Sequence, residues 1–156
     1  NHKKTGRPPS AEKWSSKYLD APFTPLFPFG HGLSYTRFEY DGLRIEGRGR
    51  GRSARVRITL QVMNAGDRRG DEVVQLYLHD AVASVTRPVK ELKGFKRMTL
   101  KPGESRNVDF TLTSEQITIL DRDLKQVLEP GIFEVMVGSS SEVIRLTGSF
   151  EVKGST

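Results

Sequence analysis

Apolar side chains recur at every second position through most of this chain, and that period decides what it can fold into. Val56, Ile58, Leu60 and Val62 alternate with Arg57, Thr59 and Gln61. Val74, Leu76 and Leu78 alternate with Gln75, Tyr77 and His79; Val108, Phe110 and Leu112 with Asp109 and Thr111; Phe133, Val135 and Val137 with Glu134 and Met136. Such alternation marks a strand with one buried and one wetted face. It puts Gln75, Tyr77 and His79 on the wet side. Turn signals separate the runs: Asn64-Ala65-Gly66-Asp67, Lys101-Pro102-Gly103-Glu104 and Glu129-Pro130-Gly131-Ile132. Pro followed by Gly suits a type II turn, in which glycine takes the positive φ. Further strands are expected near 35–46, 92–99, 117–120, 124–128 and 143–152. No stretch of ten residues keeps a 3.6 period.

Seven or more short strands with frequent turns predict an all-β fold, an antiparallel sandwich. The antibody form of the immunoglobulin-like sandwich wants a cysteine pair beside a buried tryptophan. This chain has no cysteine, and its single tryptophan, Trp14, lies outside the strands. A fibronectin type III-like sandwich needs neither. Lack of cysteine also removes disulfides, thiolate zinc sites and cysteine nucleophiles. The 156 residues suit one domain, and 35% hydrophobic residues suffice for a core. No run reaches the ~18 apolar residues of a membrane helix, which argues against a membrane partner. A start at Asn1 without a leader is read as a mature chain or a piece of a longer one.

Five of the eight prolines fall in the first 28 residues, where no period is visible. Residues 1–33 are therefore read as an irregular N-terminal arm, and 34–156 as the sandwich domain. The arm is not a solvated tail, because Tyr18, Leu19, Phe23, Leu26, Phe27 and Phe29 are large and apolar. They should pack either on this domain or on a neighbour. The stretch Phe23–Leu33 is expected to be ordered on the sandwich, with Phe27 and Phe29 buried, and residues 1 to 17 looser.

The net charge of +6 is local. Residues 44–57 hold six arginines against Glu46, a charge of +5. Gly47-Arg48-Gly49-Arg50-Gly51-Arg52 offers Arg48, Arg50 and Arg52 as polyanion contacts. A nucleic-acid segment of this kind would interleave aromatics for base stacking. None lies between Leu43 and Leu60, so a solvated loop between two strands is preferred over nucleic acid.

The segment Pro25-Leu26-Phe27-Pro28-Phe29-Gly30-His31-Gly32-Leu33-Ser34-Tyr35-Thr36 resembles the signature preceding the last domain of glycoside hydrolase family 3 enzymes, the β-glucosidases and β-xylosidases. Gly70-Asp71-Glu72-Val73-Val74-Gln75-Leu76-Tyr77 is similar to that family's second hairpin, and Arg87-Pro88-Val89-Lys90-Glu91-Leu92-Lys93-Gly94-Phe95 to its middle segment. Leu100-Lys101-Pro102-Gly103-Glu104-Ser105 and Phe133-Glu134-Val135-Met136-Val137-Gly138 resemble its closing strands, and Gly6-Arg7-Pro8-Pro9 the exit from its second domain. The arginine-rich turn departs from the family's usual first hairpin. The resemblance implies a fibronectin type III-like module behind a β/α barrel and an α/β sandwich that carry the two catalytic carboxylates. No counterpart of either carboxylate motif occurs here. The chain is then a non-catalytic module that stabilises or positions its parent's catalytic domains, with no cofactor of its own. Phe27, Phe29, His31 and Tyr35 are the expected interdomain contacts. The parent is expected in the periplasm or secreted, with the cytoplasm and a homo-oligomer left open.

Glycosidase chemistry needs two carboxyls about 5–9.5 Å apart, one with a raised pKa. Asp121 and Asp123 are the best local pair, but they read as a polar hairpin turn. Asp71-Glu72, at a strand start, is given the same reading. His2, His31 and His79 have no metal-ligand spacing, and no Gly-x-Ser-x-Gly elbow is present. A carbohydrate-binding module remains a rival. It would need exposed aromatics, of which Tyr77 is the clear candidate outside the arm.

Overall fold

The computed structural model describes residues 25–48, 54–80, 85, 88–120 and 123–153. Among these residues nine strands and one helical turn follow in order: β1 (Phe38–Arg48), β2 (Arg55–Asn64), β3 (Gly70–Asp80), β4 (Glu91–Leu100), β5 (Ser105–Thr113), α1 (Ser114–Ile117), β6 (Ile119–Leu120), β7 (Gln126–Val127), β8 (Gly131–Gly138) and β9 (Ile144–Val152). Sheet order β1-β2-β5 makes one layer and β4-β3-β8-β9 the other; β6 and β7 form a separate small hairpin. All pairings are antiparallel.

Alternation in the sequence becomes the core between the layers. In the first sheet Val56, Ile58 and Leu60 lie opposite Leu112, Phe110 and Val108. In the second, Leu76 and Leu78 lie opposite Val137 and Val135. All ten are buried, and Phe133 stacks on Phe150 at 5.4 Å between ring centres. Burial of each such side chain contributes roughly 1.5–3 kcal/mol.

Asn64 ties the end of this sandwich together. Its side chain is fully buried. Its Nδ2 donates to the carbonyls of Arg68 (2.7 Å) and Leu100 (3.0 Å), and its Oδ1 accepts from Thr36 Oγ1 (2.6 Å) and the Gly66 amide (3.1 Å). Its backbone bonds Glu104 O and the Gly103 amide. The Asn64–Asp67 turn, the β4–β5 turn and the segment leading into β1 thus share one residue.

Two local expectations are corrected. Gly103 has φ +73°, as a type II turn requires, but Gly131 has no positive φ and opens β8 opposite Val152. Ile117 closes the helical turn α1 rather than a strand. There Gln116 Oε1 accepts the Thr113 amide at 2.9 Å, half of a capping box.

Candidate docking face

The outer face of β3 is covered at Gln75 and Tyr77. Tyr77 is 2% exposed and Gln75 is buried as well, which overturns the reading of Tyr77 as a surface aromatic. The cause is chain from elsewhere lying across them. Gln75 Nε2 donates to the Ser139 carbonyl at 2.6 Å and reaches the Gly30 carbonyl at 3.5 Å; the Tyr77 hydroxyl donates to Gln75 Oε1. Burial pushes the Tyr77 phenol up to about 12. The Ser141 amide donates to Phe29 O at 2.9 Å, and the His31 amide to Pro28 O at 3.0 Å. Residues 28–31 therefore make a tight turn held on the second sheet by backbone.

The side chains of that segment point away. Phe27 is 68% exposed, Phe29 62% and Tyr35 94%, and Leu26 and Leu33 are also open. The expected burial of Phe27 and Phe29 on the sandwich is thereby corrected; Phe23 lies outside the described residues. The arm spends its backbone carbonyls on Gln75 and Ser141, so its apolar groups face outward. His31 is exposed, its ring tilted 40° against Phe27 at 5.2 Å. Phe95 adds to this surface: 66% exposed, it lies opposite Gln75 in the β3–β4 register. Sequence reading missed Gln75, Ser139, Ser141 and Phe95, because what covers or borders them comes from distant chain.

Asp71 and Glu72, adjacent on β3, point to opposite faces of the strand. Asp71 is exposed and bonded by Thr99 Oγ1 (2.6 Å) and Arg97, which hold its carboxyl below the usual range. Glu72 faces the opposite side of β3. Burial raises its carboxyl against the opposing Val73 amide, which donates to Oε1 at 2.8 Å, and the Arg145 charge. Beside it lies the buried Tyr40 hydroxyl, whose interaction with the Glu72 carboxyl also works against the rise. Asp123 is exposed and Asp121 lies outside the described residues. His79 is only half-exposed, with Nδ1 buried and unbonded, and His2 lies outside the described residues. Among the described residues no three His, Cys, Asp or Glu side chains group as a metal site. Nor is any helix there long and apolar enough to cross a membrane. Arg48 ends β1, while Arg50 and Arg52 lie outside the described residues.

Two sheets with this strand order define a fibronectin type III-like sandwich, and residues 72–141 match the family model described as "Fibronectin type III-like domain". The chain is 41% identical to a periplasmic β-glucosidase of Salmonella typhimurium over 97% of its own length and 20% of that protein. It is 45% identical to a β-xylosidase of Formosa agariphila over 94% of its length, again 20% of the relative. Among solved structures, a β-glucosidase from Listeria innocua in complex with glucose superposes with a TM-score of 0.88 at 40% identity, covering 99% of this chain and 22% of that one. β-Glucosidase 3B from Thermotoga neapolitana gives 0.78 at 35% identity, over 85% and 18%. The chain belongs with the fibronectin type III-like domains of the C-terminal region of glycoside hydrolase family 3 β-glucosidases and β-xylosidases. It spans about a fifth of the length of the relatives it matches.

Proposed function

We propose that this chain is the non-catalytic C-terminal module of a β-glucosidase-type hydrolase, and that its arm face docks on the preceding catalytic domains. The parent would hydrolyse terminal β-D-glycosidic bonds, and the name of the Salmonella relative supports a periplasmic or secreted parent. The observation that carries the reading is one of contrast. The backbone at Phe29 and Gly30 is bonded to the sandwich, while Leu26, Phe27, Phe29, Leu33 and Tyr35 stand in solvent. Clustered large apolar side chains on a fixed backbone mark an interaction surface. An interface of ~1,000 Å² at ~25 cal/mol per Å² outweighs the ordering of a few side chains. The module then acts through stability and domain placement.

The test uses the intact parent. Phe27→Ser with Phe29→Ser should lower its Tm and speed its inactivation, leaving KM for an aryl β-glucoside nearly unchanged. An unchanged Tm overturns docking through this face. The 156-residue chain alone should show no glucosidase turnover; a rate near the enzyme median of ~10 s⁻¹ would refute the non-catalytic reading.

A further inference from the structure

The outer face of the three-stranded sheet, on the far side of the sandwich from the arm, carries a basic groove. Cross-strand register places Arg44 beside Thr59, Glu46 beside Arg57, and Gln61 beside Asn107. A depression of about 510 Å³ is lined by Arg44, Arg57, Thr59, Gln61, Asn107 and Asp109. A second, of about 230 Å³, is lined by Glu46, Arg55, Arg57 and Thr111, and the two meet at Arg57. The Asp109 carboxylate is engaged by Lys96 at 3.1 Å. Arg44 and Arg57 make no ion pair among the described residues, and Arg55 bonds only the Ala54 carbonyl, at 3.3 Å. Arg37, Arg97 and Arg106, by contrast, are each paired with a carboxylate.

We propose that this groove binds a linear glycan bearing carboxylate or sulfate groups. Charge complementarity selects an anion, since Arg44, Arg55 and Arg57 outnumber the carboxylates of Glu46 and Asp109 along the channel, and Lys96 already engages Asp109. Their planar forks suit carboxylate and sulfate oxygens bidentately. Arg55 and Arg57, two positions apart on one strand, stand about 6.6 Å apart along it, a repeat that meets charges strung on an extended chain. Beyond Arg57, the floor beside Arg44 supplies hydroxyl and amide groups from Thr59, Gln61 and Asn107, partners for sugar hydroxyls. Nucleic acid is disfavoured, because no aromatic ring lines the groove for a base to stack on. The site does not depend on docking through the arm and stays open when that face is covered.

Binding of the 156-residue chain to fluorescent polygalacturonate, dextran sulfate, neutral dextran and single- and double-stranded DNA tests this. One acidic glycan at least should bind, more weakly as salt rises. Arg44→Gln, Arg55→Gln and Arg57→Gln together should weaken it about tenfold or more, with far-UV circular dichroism unchanged. Arg57→Gln alone gives a milder version should the triple variant fold poorly. Comparison of the two acidic glycans tells which anion is taken. Removing Arg37, Arg97 and Arg106 should change binding less than about twofold; an equal loss would reduce the effect to net charge and overturn the site. Tighter binding to DNA, binding to neutral dextran, loss only on replacing Arg50 and Arg52, or no glycan binding at low salt would each overturn it too.

Discussion

Gly30 lies over the side-chain amide of Gln75 so closely that an added Cβ would collide with it, and its backbone sits at φ +78°. Both features demand glycine. Gly30→Ala should therefore lift the arm. A left-handed backbone alone costs an L-residue about 1–2 kcal/mol, and the collision adds to it. Amide exchange at Ser141, whose N–H bonds Phe29 O, should accelerate while exchange in β2 and β5 stays slow. Uniform acceleration across all strands would show that the arm and sandwich open together.

Gln75→Leu should be worse than its modest volume change suggests. It strips the Tyr77 hydroxyl and the Ser139 carbonyl of their partner in a buried setting. Each buried polar group left unpaired costs about 1–3 kcal/mol. Adding Tyr77→Phe to that variant should recover part of the loss in chemical denaturation, because one orphaned group disappears.

Asn64→Ala should rank among the most damaging polar substitutions. The carbonyls of Arg68 and Leu100, the Thr36 hydroxyl and the Gly66 amide all lose their partner at once. A loss of about 3 kcal/mol or more is expected in urea denaturation. Asn64→Asp should also fail, since a carboxylate cannot donate to the two carbonyls.

Glu72 sets a pH dependence of definite sign. Burial raises its folded pKa above the ordinary 4.5, so the native state holds its proton longer than the unfolded chain. Its contribution is fully present below about 4.5 and is lost as pH rises through the raised value. Asp71 and Glu104 act oppositely: hydrogen bonds lower both, and their contributions vanish as pH falls through the depressed values. Glu72→Gln should gain stability relative to the unsubstituted chain as pH rises from about 4.5 through the raised folded value. A difference independent of pH would show that folding leaves the Glu72 pKa unchanged.

The strands in which alternation works are those whose outer face meets only water. In β2, Val56 to Val62 alternate cleanly with Arg57 to Gln61, and β5 repeats this with Val108, Phe110 and Leu112. On β3 the same rule puts Gln75 and Tyr77 in solvent, because residues that cover them, Gly30 and Ser139, are 45 and 64 positions away. A two-residue period holds no information about such distant cover. The turn Ser114–Ile117 is too short for a 3.6 period, although Thr113 and Gln116 spell its capping box. At the candidate site, large apolar residues between prolines and glycines signalled a docking segment. Its outward orientation came from backbone bonds to Ser141 and Gln75, which no composition encodes.

That orientation makes the last prediction a comparison of phenylalanines. Phe133 is buried in the core against Phe150, so Phe133→Ala should cost the isolated chain about 3–5 kcal/mol. Phe27 and Phe29 are mostly in solvent, and the bonds that hold their segment come from the backbone at Phe29 and Gly30, which truncation leaves in place. Phe27→Ala with Phe29→Ala should then move the isolated chain by no more than about 0.5 kcal/mol, the range of exposed substitutions. In the intact parent the same pair should cost several-fold more, because each ring would lose roughly 1.5–3 kcal/mol of burial against its neighbour. Thermal unfolding of both forms, with and without the pair, supplies all four corners of the cycle. Equal shifts in the two forms would place these rings outside any interface, and a large shift in the isolated chain would place them in its own core.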